Sequence, residues 1–230
     1  MKEILEVKNL SVVLGNERIV ENLSFNVEKG EILTILGPNG SGKTVLLRTL
    51  LGLIPYSGKI IWKEGIKIGY LPQGLTPAKV KSLPLSVKDF FYFKETDENQ
   101  VRKVMNLVEV KEEMLRKHLG HLSSGQFQRI LVAWALINNP DVLIFDEPTT
   151  GIDVGGEQTI YSLLYRFWKE KQTTIILVTH DLNVVYKYSG NVLCLHKGTF
   201  CCYGMPREVL TPKALEKLYG TEIKFYKHKH

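Results

Sequence analysis

"EILTILGPNGSGKTVLLRTLLG", residues 31–52, passes from one apolar run through a glycine-rich turn into another. The first run, "EILTILG", is nearly continuous, the pattern of a strand buried on both faces in a parallel sheet. The second, "VLLRTLLG", reads as a helix with Gly52 at its end. Between them "GPNGSGKT" satisfies G-x-x-x-x-G-K-[ST] in the context that motif requires, after a strand and at the head of a helix. Gly37, Gly40 and Gly42, with Pro38, Asn39 and Ser41 between them, let the backbone curl into a nest whose amides face phosphate oxygens. Lys43 is placed to reach the β and γ phosphates, and the Thr44 hydroxyl to ligate Mg²⁺. A glycine-rich turn without a ligand is the bland alternative, and the complete motif in this setting outweighs it. The stretch therefore predicts binding of a nucleoside triphosphate.

Upstream, "EILEVKNLSVVL" and "IVENLSFNV" alternate around a Gly15-Asn16 turn signal, which predicts short strands over the first thirty residues. Downstream, "GKIIW" and "IKIGYLP" are two more strands. From Ser86 to Asn138 the period becomes helical in "SVKDFFYF", "ENQVRKVMNLVEV" and the stretch "HLSSGQFQRILVAWAL", and Asn139-Pro140 stops the run. The sheet resumes with "DVLIFDE", "TTIILVTH" and "NVLCLH", and a helix around "EQTIYSLLYRFWKE" lies between the first two. No internal repeat is present, so the chain reads as one cassette.

A chain of 230 residues with 44% hydrophobic and 23% charged content has the composition of a globular protein with one good core. No apolar run approaches the ~18 residues that span a bilayer, and "MKEILEVKNL" carries charges where a signal peptide needs an apolar segment. The expectation is a cytosolic protein unless something on a membrane holds it. Cys194, Cys201 and Cys202 form no CxxC pair and two are adjacent, a poor basis for a disulfide framework, so a reducing compartment is expected. The net charge of +6 is scattered, without the basic block that nucleic-acid binding favours. His228 and His230 are possible metal ligands in a tail that reads as a disordered end.

"VLIFDE" ends a buried strand on Asp146 and Glu147. An acid at the carboxyl end of a parallel strand faces the ligand crevice, so Asp146 can hold Mg²⁺ through its water shell and Glu147 can orient or deprotonate an attacking water. A solvated turn is the alternative; it loses because "TIILVTH" delivers His180 to the same sheet edge. His118 and His121 could share a metal, but no third ligand is near. In "HLSSGQFQRILVAWAL", residues 121–136, Ser123 can cap the following helix and Gln126 can reach back to the cap's amide. Phe127, Ile130, Leu131, Trp134 and Ile137 then fall on one face. Free amides, a positive dipole end and Gly125 make this either an anion site or an ordinary capped core helix.

Residues 37–44, Gln73 in "YLPQ", Leu122 to Gln126 as "LSSGQ", Asp146-Glu147, Asp153 in "TTGID" and His180 together resemble the ATP-binding-cassette family of ATPases in order and spacing, over nearly the whole chain. "LSSGQ" combined with a phosphate loop is the most specific part, and no N-K-x-D guanine motif is present. The resemblance implies an α/β P-loop NTPase fold: a mixed RecA-like sheet core, an N-terminal antiparallel β subdomain (1–30) and an inserted α-helical subdomain (74–138), with core and C-terminal segment over 31–73 and 139–230. It implies ATP and Mg²⁺, and a homodimer in which the signature residues Ser123, Ser124, Gly125 and Gln126 of one copy close on the ATP held by the other. Gln73 is then the sensor of the γ-phosphate and Mg²⁺, His180 holds the γ-phosphate, and Asp153 contacts the opposite copy. Leu14 stands where the family usually places an aromatic against adenine, which weakens base selectivity, and Ser124 stands where the signature usually has glycine.

The same resemblance implies an integral membrane permease received by the helical insert, an extracytoplasmic solute-binding protein, a peripheral place on the cytoplasmic face of the membrane, and no nucleic acid. The insert has no long heptad arm of the kind DNA-repair members carry. "YGMPREVLTPKALEKLYG", residues 203–220, looks like the terminal segment of zinc and manganese importers, with "EPTTGIDV" a weaker echo. Importers of siderophores, haem and cobalamin have related endings. The alternatives are an exporter ATPase and a soluble ATPase of the family serving iron-sulfur assembly or repair.

Overall fold

The computed structural model describes residues 3–149, 154–197 and 199–220. Its compact units are Met1–Lys63 with Ile176–His230, and Glu64–Ile175. In chain order the elements are β1 (Glu3–Leu14), β2 (Glu17–Glu28), β3 (Ile32–Leu36), α1 (Lys43–Leu50), β4 (Ser57–Trp62), β5 (Ile68–Leu71), α2 (Pro77–Val80), α3 (Val87–Tyr92), α4 (Glu98–Leu107), α5 (Ser124–Leu136), β6 (Val142–Asp146) and α6 (Val154–Lys171). They are followed by β7 (Thr174–Thr179), α7 (Leu182–Tyr188), β8 (Asn191–His196), β9 (Thr199–Gly204), α8 (Pro206–Val209) and α9 (Pro212–Tyr219).

In the first unit the strands run in the order β4-β1-β2-β9-β8-β3-β7. The outer part is antiparallel, β1 pairing with β2 and with β4. The alternation read from the sequence buries Leu10 and Val12 of β1 and Val20 and Val27 of β2, while their neighbours face out. The inner part is parallel: β3 pairs with β8 from Leu33↔Asn191 to Leu36↔Cys194, and all five residues of β3 are buried. The central apolar run therefore does what its composition predicts. Helix α1 ends with Gly52 at φ 71°, and the Trp62 indole donates to the Leu50 carbonyl at 2.9 Å, satisfying one of the orphan acceptors at the helix end. The tail packs back on this sheet: Leu215 and Leu218 of α9 join Leu36, Val192 and Cys194 in one buried cluster.

The expectation of unpaired cysteines is corrected. Cys194 and Cys202 are directly opposite on the antiparallel β8–β9 ladder, with Cα atoms 5.0 Å apart, and form a disulfide; Cys201 is free. Spacing along the chain could not show this, because the cross-strand register sets it.

In the second unit β5 and β6 pair in parallel from Ile68↔Val142 to Leu71↔Phe145, and the remaining elements are helical. Helix α3 starts at a capping box between Ser86 and Asp89, and α4 at one between Asp97 and Gln100. Helix α4 stops at Leu107, three residues short of the periodic segment, and Glu109 takes φ 57° beyond it. There Arg129 donates to the Val108 carbonyl (2.8 Å) and the Glu109 carboxylate (3.0 Å), and Arg166 to the Leu107 carbonyl (3.1 Å) and the same carboxylate (3.1 Å). Two arginines from α5 and α6 thus close the end of α4.

The Glu109 carboxyl is held below its ordinary range, first by the hydrogen bond from Arg129 and then by that from Arg166. A folded-state value below the unfolded one adds stability above the unfolded value and loses it as pH falls through the folded one. Glu109→Gln is accordingly expected to flatten the acid limb of a pH–stability curve. Its loss at neutral pH should be at most about 1 kcal/mol, because the carboxylate is largely exposed. Urea melts from pH 3 to 7 measure both, and an unchanged acid limb would exclude this role.

Burial on α5 extends beyond the apolar face formed by Phe127, Ile130, Leu131, Trp134 and Ile137. Phe127, Gln128, Ile130, Leu131, Val132, Ala133, Ala135 and Leu136 are all buried. Small residues at 133 and 135 let neighbours approach the sides that a periodicity argument assigns to solvent.

Candidate active site

In the first unit the loop between β3 and α1 is a nest with separate reasons for each glycine. Gly40 (φ 78°) and Gly42 (φ 96°, the N-cap of α1) occupy the left-handed region that side chains disfavour. Gly37 is required by space, since a Cβ there would lie 2.6 Å from the Ser41 hydroxyl. The Ser41 amide turns back to the Pro38 carbonyl at 3.2 Å, and Asn39 and Gly40 are exposed at the tip. Lys43 is only 6% exposed; its ammonium donates to the Gly37 (2.8 Å) and Pro38 (3.0 Å) carbonyls, which hold it along the loop.

Ser41 Oγ is buried without a hydrogen-bond partner. Such a group is costly unless something answers it, by about 1–3 kcal/mol, and a phosphate oxygen in the nest would do so. Thr44, half-buried in the first turn of α1, offers a hydroxyl oxygen. His180 follows the last residue of β7 and is exposed.

Leu14 (40% exposed) closes β1 at the hairpin end, opposite Glu17. Sequence reading missed Ile19, which the register skips between Val12↔Val20 and Val13↔Arg18. This bulge brings Ile19 onto the phosphate loop, so that a Cβ on Gly42 would meet its carbonyl at 2.9 Å and its Cγ2 at 3.3 Å. Only the bulge distinguishes Ile19 from its neighbours, and no periodic signal marks a bulge.

In the second unit Asp146 ends β6 and is 1% exposed. Glu147 follows in the left-handed region at φ 48°, a conformation that costs a non-glycine residue on the order of 1 kcal/mol or more and concentrates at functional sites. Gln73, just past β5, donates its amide to Glu147 Oε2 at 3.0 Å. Two residues far apart in sequence are thereby brought together, on adjacent strand ends of one parallel pair.

In the same unit Ser123 caps α5: Gln126 N donates to Ser123 Oγ (3.3 Å) and Ser123 N to Gln126 Oε1 (3.2 Å). Ser123 and Ser124 are exposed, and a Cβ on Gly125 would have nothing within 4 Å. Gly125 also lacks a positive φ. Nothing in the described chain requires a glycine there.

A match to the ABC transporter family model covers residues 20–150. A zinc import ATP-binding protein (ZnuC) of Rickettsia conorii is 38% identical over all of this chain and 97% of its own. The chain belongs to the ABC transporter family. It binds and hydrolyses ATP, as the ATP-binding proteins of that family do. Among solved structures, a putative metal-chelate type ABC transporter in an inward-facing conformation superposes with a TM-score of 0.85 at 26% identity, covering 99% of this chain and 94% of that one. An ATP-binding cassette in a dimeric post-hydrolysis state bound to ADP and phosphate gives 0.74 at 25% identity, covering 88% and 99%. The chain has the α/β P-loop NTPase fold, a mixed sheet of parallel and antiparallel strands with helices.

His118 and His121 have ring centroids 5.7 Å apart, and among the described residues no group of three or more His, Cys, Asp and Glu side chains could hold a metal ion. Asp153, His228 and His230 lie outside the described residues. No helix among the described residues is long and apolar enough to cross a membrane.

Proposed function

We propose that this ABC ATPase energises import of a divalent metal ion, zinc or manganese, or of a metal chelate, across the cytoplasmic membrane. The observation that carries the reading is the end-to-end match to a zinc import ATP-binding protein. The tail supports it: the importer-like segment folds as α8 and α9 against the core sheet, an integral part of the first unit. In this reading residues 1–30 form the β subdomain, 74–138 the helical insert that receives the permease, and 31–73 with 139–230 the core. The chain sits peripherally on the cytoplasmic face, bound to permease subunits that a solute-binding protein supplies from outside.

The pair of copies is the working unit. Gly125, free of any demand from its own chain, keeps the first turn of α5 open so that Ser123, Ser124 and Gln126 can approach the γ-phosphate on the other copy's phosphate loop. Glu147 takes the proton of the attacking water as its oxygen bonds to the γ-phosphorus and the bond to the β–γ bridging oxygen breaks, leaving ADP and phosphate. Gln73, bonded to Glu147, couples the carboxylate to the insert that follows it, and His180 holds the γ-phosphate. Thr44, Asp146 and Gln73 are oxygen donors of the class Mg²⁺ prefers. When bound, that ion neutralises charge on the β and γ phosphates.

Leu14 gives the base an apolar neighbour where an aromatic would stack. Stacking contributes about 1–3 kcal/mol per base, so GTP is expected to be hydrolysed within about ten-fold of ATP. Leu14→Tyr should tighten ATP binding by a similar factor, and steady-state rates with both nucleotides test it. If GTP were rejected a thousand-fold, base recognition would lie elsewhere.

The function is tested by identifying the membrane protein that copurifies with this chain, together with zinc and manganese accumulation in cells lacking it. Uptake restored by the wild type and not by a hydrolysis-dead variant is expected. Copurification with an iron-sulfur scaffold or with DNA, and unchanged uptake, would replace the importer with the soluble alternative.

A further inference from the structure

The end of α3 holds α5 at one residue in three ways. The Phe90 ring stacks on Trp134 with centroids 5.1 Å apart and planes 20° from parallel. Lys94, just past α3, puts its ammonium 3.7 Å from the centroid of the Trp134 ring. The Trp134 indole N–H donates to the Phe90 carbonyl at 3.3 Å, one of the acceptors that a helix C-terminus leaves open. Burial pushes the Lys94 amine below the ordinary lysine range, so its charge is paired with the indole face in a partly desolvated setting.

Elsewhere on α5, Arg129 ties the helix to the end of α4, and most of the remaining buried residues are aliphatic, which fill volume without fixing a rotation. A stacked ring, a cation over its face and a directed hydrogen bond fix the azimuth and height of one helix against another. Trp134 lies on the helix whose first turn carries Ser123, Ser124, Gly125 and Gln126. A rigid helix passes any shift of Trp134 to that turn.

We propose that Trp134 is a positioning residue: through it the end of α3 sets where the first turn of α5 stands when two copies close on ATP. This rests on the reading that the two copies share the nucleotide. It assigns to α3, in the insert proposed to receive the permease, a defined point of contact with the signature helix.

The test uses the full chain in a Glu147→Gln background, with Mg·ATP, and two readouts. Sedimentation velocity gives the dimerisation constant, and a fluorescent ATP analogue at low protein concentration gives the affinity of the single phosphate loop. Trp134→Leu is expected to weaken dimerisation by about ten-fold while analogue affinity changes less than about two-fold, given the usual strengths of aromatic and cation–π contacts. Trp134→Phe, which keeps a stacking face, should recover most of the loss. Lys94→Met, outside the helix core, should weaken dimerisation by about three-fold and keeps the test available if Trp134→Leu fails to fold. If the parent dimerises and neither Trp134→Leu nor Lys94→Met weakens it, the positioning role is overturned and the shared-nucleotide reading stands. If the parent stays monomeric while binding ATP, both are overturned.

Discussion

Glu147→Gln is expected to slow ATP hydrolysis by about 10² or more, the usual contribution of a general base, while ATP affinity stays near that of the wild type. The substitution keeps size and hydrogen-bonding capacity, so the contact from Gln73 at 3.0 Å has a partner of the same shape. What it removes is the ability to accept a proton from water. Glu147 sits at φ 48° directly after Asp146, and this conformation is disfavoured for any side chain but asparagine, aspartate or glycine. The fold holds the carboxylate just past the end of β6 in that conformation, within hydrogen-bond reach of Gln73. Single-turnover rates with radiolabelled ATP measure the effect, and hydrolysis within a few-fold of the wild type would remove Glu147 from the reaction.

Lys43→Ala is expected to act earlier, on binding. The ammonium is buried and donates to the Gly37 and Pro38 carbonyls, so it lies along the nest. Its removal deletes a charge-assisted contact to the β and γ phosphates and the lysine's hydrogen bonds to the Gly37 and Pro38 carbonyls, the second of which keeps the Ser41 amide as a donor. Hydrogen bonds to charged groups contribute about 1.5–3 kcal/mol each, so ATP affinity should fall by roughly ten- to a hundred-fold. Titration calorimetry reads this directly. Equal affinity would count against the loop as the phosphate site, and a lower melting temperature without nucleotide would report the lost loop contacts separately.

Elements set by local chemistry were legible from sequence. The β3–loop–α1 unit follows from an apolar run, glycines at turn positions and a lysine. The Ser123–Gln126 capping box follows from four residues, and both of its reciprocal hydrogen bonds are present. What stayed hidden depends on register or on tertiary packing. The Cys194–Cys202 pair and the Ile19 bulge are products of strand alignment, and hydrophobic alternation fixes alignment only to within such slips. The buried flanks of α5 depend on which helices surround it. The bond between Gln73 and Glu147 needs β5 and β6 to be neighbours, a pairing that no local pattern encodes. Resemblance to a family supplied the roles of Gln73, His180 and Asp153, for which single-residue chemistry gives no more than a polar group at a strand end or loop.

The central claim is that one copy cradles the triphosphate and a second copy closes over it. Sedimentation velocity of the Glu147→Gln chain over a wide concentration range, with and without Mg·ATP, tests it most directly. The account predicts a doubling of mass that appears only with Mg·ATP and reverses when the nucleotide is removed. A chain that binds Mg·ATP yet sediments as a monomer at every concentration, alone and with its permease, would contradict it.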